Sequence, residues 1–367
     1  MSGGLTDHHV HFMAAAATLL SVDVSAAADL ASLVATIAGG APPQGWVRAW
    51  GYEEWRLAEK RHPHRDDLDR AVPGRPVVLH HRSGHAAVLN TPALAEAGIP
   101  HHPDGLLVDR HDLLERVPRL PARALRQAAA ATSARWESAG VSAFVDATHT
   151  NGRPEIELLA EWVASGVIRQ VVTAMVGAAH IADLPGHGAS VGRVGVGHAK
   201  IMPAPDDPDR VARQVGQAHR LGFPVAVHVV DIDVLDSLLG ALEASPAPPG
   251  STDRIEHNSL CLPEQVERIA ASGALVVVNP SFLVHRQAKY RAELTEVERA
   301  WLIRMGSLRR AGIGLRAGTD APVVDCHPQE MIRAARAHPF APAESLSAAE
   351  AESLLAPAPA PGPARRR

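Results

Sequence analysis

The chain has 367 residues, of which 46% are hydrophobic, so it can bury a large core in one big domain or two ordinary ones. Its 36 Lys and Arg against 40 Asp and Glu give a formal net charge of −4, which excludes a predominantly basic surface for nucleic acid or an anionic membrane. Two cysteines cannot build a disulfide framework, and no apolar run reaches the ~20 residues that span a bilayer. Without a basic signal-peptide start, we expect a soluble, cytoplasmic protein.

The first predicted strand, residues 5–11, carries a His-x-His pair. Side chains at positions i and i+2 of a strand point to the same face, so His9 and His11 project together and can hold one metal ion. In a chain with 21 histidines, such a pair is a weak signal by itself. It gains weight only if further ligands come from other strands.

The segment that follows the first strand differs in amino-acid composition. Residues 14–37 are rich in Ala, Leu and Val at helical spacing and predict one or two helices. From 39 to about 121, Pro, Gly, His and Arg are frequent, with a strand-like stretch at 75–80. We interpret this segment as an insertion after the first strand with a small structure of its own. A helix over 122–140 ends at a glycine.

Beyond residue 140, short β-branched runs alternate with helical segments. With the first strand, the predicted strands cover 5–11, 141–146, 169–175, 194–202, 224–229, 254–257, 274–279 and 313–319. Helices between them include 208–221, 233–244, 263–271 and 296–311. This alternation predicts an α/β fold with a parallel sheet, and eight units favour a (β/α)8 TIM-type barrel. No G-x-G-x-x-G or P-loop follows a strand, which removes the simplest nucleotide-binding alternative.

Polar residues mark the carboxyl ends of these strands, where barrel enzymes place their chemistry. They are Lys200 in strand four, His228 in strand five, His257 in strand six and Asp320 after strand eight. One histidine at a strand end is more often a core or loop residue. A lysine inside an apolar strand needs a partner or a chemical change, because burying an unpaired ammonium costs several kcal/mol. With the His-x-His pair, these donors have the composition of a zinc-type site with open positions.

In this order, the motifs resemble the amidohydrolase superfamily of metal-dependent hydrolases. The motifs are Asp-x-His-x-His, the strand-four Lys, the strand-five His, Ile-Glu-His and Thr-Asp-Ala-Pro-Val. The inserted segment is similar to the amidohydrolase-3 branch, which includes N-substituted formamide deformylase and YtcJ-like proteins. Its matching motifs include Gly51-Tyr52-Glu53-Glu54, Arg82-Ser83-Gly84-His85-Ala86 and Ala97-Gly98-Ile99. The resemblance covers most of residues 5–337.

The resemblance implies a metal-dependent hydrolase that cleaves a C–N bond, amide or formamide-like but not a peptide bond, in a small-molecule substrate. It implies one or two divalent ions per chain, with zinc the expected metal. The implied ligands are His9, His11 and Asp320 for the more buried metal, His228 and His257 for a second, and a carboxylated Lys200 bridging both. A hydroxide activated by the metal would be the nucleophile, and Asp320 would carry its proton to the leaving nitrogen.

Several alternatives stay open. His85 of the insertion is either a substrate contact or oxyanion donor, or a hydrogen-bonded loop residue. The same scaffold supports a deaminase, lactonase or isomerase reaction, with Phe282, Trp55 and residues 82–90 as the expected determinants. A non-catalytic paralogue that binds metal or a ligand is the other alternative. Glu256 is expected to orient a neighbour rather than to bind metal.

The chain ends differ from the resembling branch, whose members carry a small β-sandwich built from both ends. Only residues 1–4 precede the first strand, so we expect the sandwich to be missing. We predict a barrel domain over 1–345 and, at 346–367, a terminal helix remnant with a disordered Pro/Ala tail. Homo-oligomerisation would be one way to cover the exposed surface.

Overall fold

The computed structural model describes residues 4–99, 102–204 and 206–357. It divides into two compact units, one combining the residues up to Phe12 with those from Ser133 onward, the other spanning Met13–Thr132. The described strands are β1 (Leu5–Val10), β2 (Val22–Asp23), β3 (Val47–Tyr52), β4 (Val77–His81), β5 (Ala86–Leu89), β6 (Leu106–Val108), β7 (Val141–Asp146), β8 (Val171–Gly177), β9 (Ser190–Val191), β10 (Val194–Ile201), β11 (Val225–Val229), β12 (Arg254–His257), β13 (Leu275–Val278) and β14 (Leu315–Ala317).

The described helices are α1 (Phe12–Thr18), α2 (Leu30–Gly40), α3 (Arg65–Ala71), α4 (Thr91–Glu96), α5 (His111–Leu114), α6 (Ala122–Ser138), α7 (Arg153–Ala164), α8 (Arg210–Arg220), α9 (Ile232–Ala244), α10 (Pro263–Ser272), α11 (Phe282–His285), α12 (Gln287–Glu293), α13 (Glu296–Ala300), α14 (Met305–Arg310), α15 (Pro328–Ala335) and α16 (Ala348–Ser353). None of these helices is long and apolar enough to cross a membrane.

The first unit is a nearly closed parallel barrel. Its eight barrel strands follow the order β1-β7-β8-β10-β11-β12-β13-β14, and every neighbouring pair in this order is parallel. The two-residue strand β9 lies off this path and pairs antiparallel with β10. Val10 of β1 pairs with Ala321, just beyond β14, which brings the last strand back to the first. Helices connect the strands, so the predicted TIM-type barrel is confirmed. All eight predicted barrel strands form, and most of them are β-branched, apolar runs that suit a sheet buried on both faces.

One predicted helix is wrong. The segment 296–311 forms two short helices, α13 and α14, instead of one. Leu302, between them, pairs with Leu260 in the loop after β12, and Ile303 adopts a left-handed backbone with φ 39°. Pairing with a distant segment interrupts the helix although the local sequence favours it.

The second unit is built on a five-stranded sheet in the order β2-β3-β4-β5-β6. The strands β2, β3 and β4 are parallel, and β5 and β6 continue the sheet antiparallel. The sequence predicts only helices for residues 14–37, but they also supply the edge strand β2. The helix α2 begins in the same segment, and its Leu33 and Ile37 are buried in this unit's core. This unit therefore begins well before residue 39.

The terminal segment contributes to the barrel. The Leu355 carbonyl accepts a hydrogen bond from the Thr6 amide, and the Leu354 carbonyl accepts one from the Ala317 amide. The segment after α16 thus holds β1 and β14 together. The part of the predicted tail at 358–367 lies outside the described residues.

Candidate metal centre

Three candidate ligands converge where β1 meets the end of β14. The Asp320 Oδ1 atom lies 3.1 Å from His11 Nε2 and 3.5 Å from His9 Nε2. One ligand atom from each of these residues lies within 4.8 Å of the others, as binding to one ion requires. Within the described part of the chain, no other group of three or more His, Cys, Asp or Glu residues meets this condition.

Backbone contacts fix this convergence. The Asp320 amide donates to the His9 carbonyl at 2.8 Å, and the His11 amide donates to the Ala321 carbonyl at 2.7 Å. A Cβ atom on Gly318 would lie only 2.4 Å from the His9 Cβ, so this approach requires glycine. Asp320 itself has φ 60°, a left-handed conformation that is uncommon for non-glycine residues and often found at functional sites.

Three of the four candidate histidines are held through their Nδ1 atoms by partners from other strand ends. The contacts are His9 with Glu256 Oε2 at 2.5 Å, His11 with Thr148 Oγ1 at 3.1 Å and His257 with Asn279 Oδ1 at 2.7 Å. When Nδ1 is occupied in this way, Nε2 is left to bind a metal, as is usual for metal-bound histidine. The contact of Glu256 with His9 agrees with its predicted orienting role.

The other predicted ligands lie beside this group. The His257 ring is 4.6 Å from the His9 ring and 4.5 Å from the His228 ring, measured between centroids. Lys200 lies in β10, and its Nζ atom is buried without a hydrogen-bond partner in the described part of the structure. Burial lowers the pKa of Lys200 to about 8, against the opposing charges of Glu256 and Asp320.

The two carboxylates of the centre are ionised although they are buried. Burial alone would raise the pKa of Asp320, but the hydrogen bond with His11 and the nearby His257 and His9 hold it well below its usual range. Burial likewise opposes ionisation of Glu256, yet Arg254 and His9 keep its pKa well below normal. Among the three candidate ligands whose atoms lie within 4.8 Å of one another, the Asp320 carboxylate is therefore the one that offers negative charge to a cation.

Two predicted substrate determinants belong to the second unit. The His85 Nδ1 atom lies 2.8 Å from Asp109 Oδ1, and the Trp55 indole donates to Glu53 at 3.3 Å. A substrate role for His85 stays a prediction. Phe282 belongs to the barrel unit, where it is buried and the Arg286 guanidinium lies 4.3 Å from its ring centroid.

Sequence reasoning missed Thr148, Asn279 and Arg254, which hold the candidate ligands or their partners. A signal was present for Asn279, because it directly follows the barrel strand β13, as Asp320 lies just beyond β14. Thr148 and Arg254 carry no such signal.

The donor set fits a divalent transition metal. Imidazole nitrogens combined with a carboxylate oxygen are typical ligands of zinc and related ions. His9 Nε2 is buried without a hydrogen-bond partner among the described residues, as is Lys200 Nζ. Unpaired buried polar atoms are rare in folded proteins and often mark an ion, so a bound cation would account for His9 Nε2.

Comparison with known proteins identifies the family. YtcJ of Bacillus subtilis (strain 168) is 24% identical in an alignment that covers 91% of this chain and 73% of YtcJ. N-substituted formamide deformylase of Arthrobacter pascens is 25% identical in an alignment that covers 95% of this chain and 76% of the deformylase. The crystal structure of an uncharacterized metal-dependent hydrolase from Pyrococcus furiosus shares the fold, with a TM-score of 0.73 and 22% identity over 96% of this chain and 80% of its own. The sequence profile of the amidohydrolase family matches residues 1–360, and the chain therefore belongs to this family of hydrolases.

Proposed function

We propose that this protein is a metal-dependent hydrolase that cleaves the C–N bond of an amide or formamide-like small molecule. The observation that carries the proposal is the group formed by His9, His11 and Asp320, whose ligand atoms lie within 4.8 Å of one another. The Nδ1 contacts of both histidines support it, because they leave Nε2 available to a metal.

His9, His11 and Asp320 would hold the first ion, for which zinc suits the ligands. His228, His257 and a carboxylated Lys200 would hold a second, since the His257 ring contacts both the His9 and His228 rings. The bound metal would lower the pKa of water and polarise the substrate carbonyl.

Carboxylation of Lys200 would join its neutral amine nitrogen to the carbon of CO2 and release one proton. The resulting carbamate is an anionic ligand, so it would remove the cost of burying a cation without a hydrogen-bond partner. The main support is that Lys200 belongs to β10 and that its Nζ atom is buried without a hydrogen-bond partner among the described residues.

Asp320 would move the proton of the attacking water to the leaving nitrogen. The hydrogen bond with His11 and the nearby His257 and His9 hold its pKa below the usual range in spite of burial, which favours the deprotonated form that accepts a proton. The Asp320 amide donates to the His9 carbonyl and the His11 amide donates to the Ala321 carbonyl. These bonds hold the Asp320 carboxylate beside the two histidines, so the proton would travel only a short distance.

A relative guides the choice of substrates to assay. Because one similar protein is named N-substituted formamide deformylase, N-substituted formamides are the first compounds to assay, followed by other N-acyl amines. Ring amidines and lactones belong in the same panel. Turnover of these alone would assign the deaminase or lactonase alternative instead of amide hydrolysis.

The test compares Asp320→Asn with Asp325→Asn, a control on the same loop whose carboxylate pairs with Arg135. We expect Asp320→Asn to retain metal by elemental analysis and to lose turnover by at least about a hundredfold, the lower range for losing general acid–base catalysis. Asp325→Asn should retain both. Full turnover by Asp320→Asn would refute the proton-transfer role.

A further inference from the structure

We propose that Arg254 is a positioning residue for His9, acting through the carboxylate of Glu256. The proposal rests on the proposed function, because its consequence is a tighter metal site. Arg254 is the first residue of the strand β12 and Glu256 the third, and both side chains are buried. They are two residues apart, so they lie on the same face of the strand.

The Arg254 guanidinium binds the Glu256 carboxylate through two nitrogens. Its Nε donates to Glu256 Oε1 at 2.7 Å, and its Nη2 donates to Glu256 Oε2 at 3.2 Å. Glu256 Oε2 is also the atom that lies 2.5 Å from His9 Nδ1. A planar guanidinium bound at both oxygens fixes the plane of the carboxylate, and this fixes the direction in which Oε2 meets the imidazole.

The same guanidinium also contacts the strand that carries the metal ligands. Arg254 Nη2 donates to the His8 carbonyl at 2.8 Å. In the sheet order, β13 and β14 separate β12 from β1, so this bond does not join neighbouring strands but reaches across the barrel. Arg254 therefore positions both the backbone beside His9 and the carboxylate that orients its ring.

This arrangement should fix which nitrogen of His9 faces the metal. A carboxylate held opposite Nδ1 favours the proton there and leaves the lone pair on Nε2, the atom that is buried without a hydrogen-bond partner in the described structure. A lysine would preserve the positive charge at position 254 but could not bind both carboxylate oxygens in one plane. Charge and geometry can therefore be separated by substitution.

The experiment measures zinc affinity by competition with a chromophoric chelator, and the urea midpoint of the metal-free protein. Partners that orient metal-binding histidines typically change metal affinity 10- to 100-fold. We expect Glu256→Gln to raise the zinc Kd by about that factor, and Arg254→Lys to raise it at least about tenfold. The control is Arg304→Lys, which alters another largely buried Arg–Glu pair, Arg304–Glu344 at 3.5 Å, and should leave the zinc Kd unchanged.

The double variant Arg254→Met/Glu256→Gln removes both charges and so avoids an unpaired buried carboxylate that would prevent folding. If Arg254 acts through Glu256, its zinc Kd should match that of Glu256→Gln within about threefold, because the two effects are not additive. Zinc binding of wild-type strength by Arg254→Lys and by the double variant would overturn the proposal and leave the proposed function intact. A folded wild-type protein that binds no zinc would overturn both.

Discussion

A substitution at Asn279 best distinguishes an effect on metal binding from an effect on the stability of the fold. Its buried amide makes two hydrogen bonds, with Oδ1 2.7 Å from His257 Nδ1 and Nδ2 donating to the Gly318 carbonyl at 2.8 Å. In Asn279→Ala both partners lose their bonds in a buried setting. Each such group costs about 1–3 kcal/mol, so the free energy of unfolding should fall by about 2–6 kcal/mol.

The control is Gln170→Ala, at the amino-terminal end of the barrel strand β8. The Gln170 amide is equally buried, and it donates to the Ser133 carbonyl at 2.9 Å and to the Val141 carbonyl at 3.3 Å. Gln170 Oε1 also accepts a hydrogen bond from Ser133 Oγ at 2.7 Å, so the loss of this amide should lower the urea midpoint of the metal-free protein by at least a similar amount. Only Asn279 contacts a candidate ligand, so only Asn279→Ala should also weaken zinc binding, about 10- to 100-fold in a chelator competition assay.

Equal zinc affinity in Asn279→Ala and the wild type would refute the reasoning, because it would mean that His257 needs no orienting partner or binds no metal. Equal weakening by Asn279→Ala and Gln170→Ala would also refute it. That result would tie zinc affinity to general stability rather than to the contact with His257.

Three further expectations concern backbone space and pH. Gly318→Ala would place its Cβ 2.4 Å from the His9 Cβ, so β1 and β14 should separate and zinc binding should be lost in the same competition assay. Gly240→Ala, in the helix α9 with no atom within 4 Å of the new Cβ, should instead raise the free energy of unfolding by about 0.5–1 kcal/mol in urea titrations. Burial and then the nearby Arg48 charge lower the pKa of His80 from 6.5 to about 4, so its neutral form stabilises the fold above pH 6.5 and this stability is lost as pH falls toward 4. By pH 5 the loss is about 2 kcal/mol, and His80→Gln should flatten the fall in urea midpoint between pH 7 and pH 5; an unchanged pH dependence would contradict this account.

The barrel could be predicted from sequence because most of its strands are short apolar runs that alternate with helical segments. These patterns are local, and the parallel connections follow from them. The break between α13 and α14 could not be predicted, because it depends on the pairing of Leu302 with Leu260. The edge strand β2 has only two residues, and its pairing with β3 is likewise invisible in the local sequence.

The metal centre could likewise be predicted only in part. His9, His11 and Asp320 follow from motif order, and the structure brings them within 4.8 Å of one another. Their supporting contacts depend on which strands face each other across the barrel. Arg254 illustrates the limit, because a charged residue at the start of a strand indicates neither burial nor a contact with β1.

The central claim is that the carboxyl end of the barrel holds a catalytic divalent metal, and the most direct test is the metal-to-protein ratio by elemental analysis. The wild type and a His9→Asn/His11→Asn variant would be reconstituted with zinc in the presence of bicarbonate and freed of excess metal. We predict one equivalent of zinc, or two if Lys200 is carboxylated, in the wild type, and the loss of at least one in the variant. A folded wild type without zinc, or a variant that keeps the full amount, would contradict the claim.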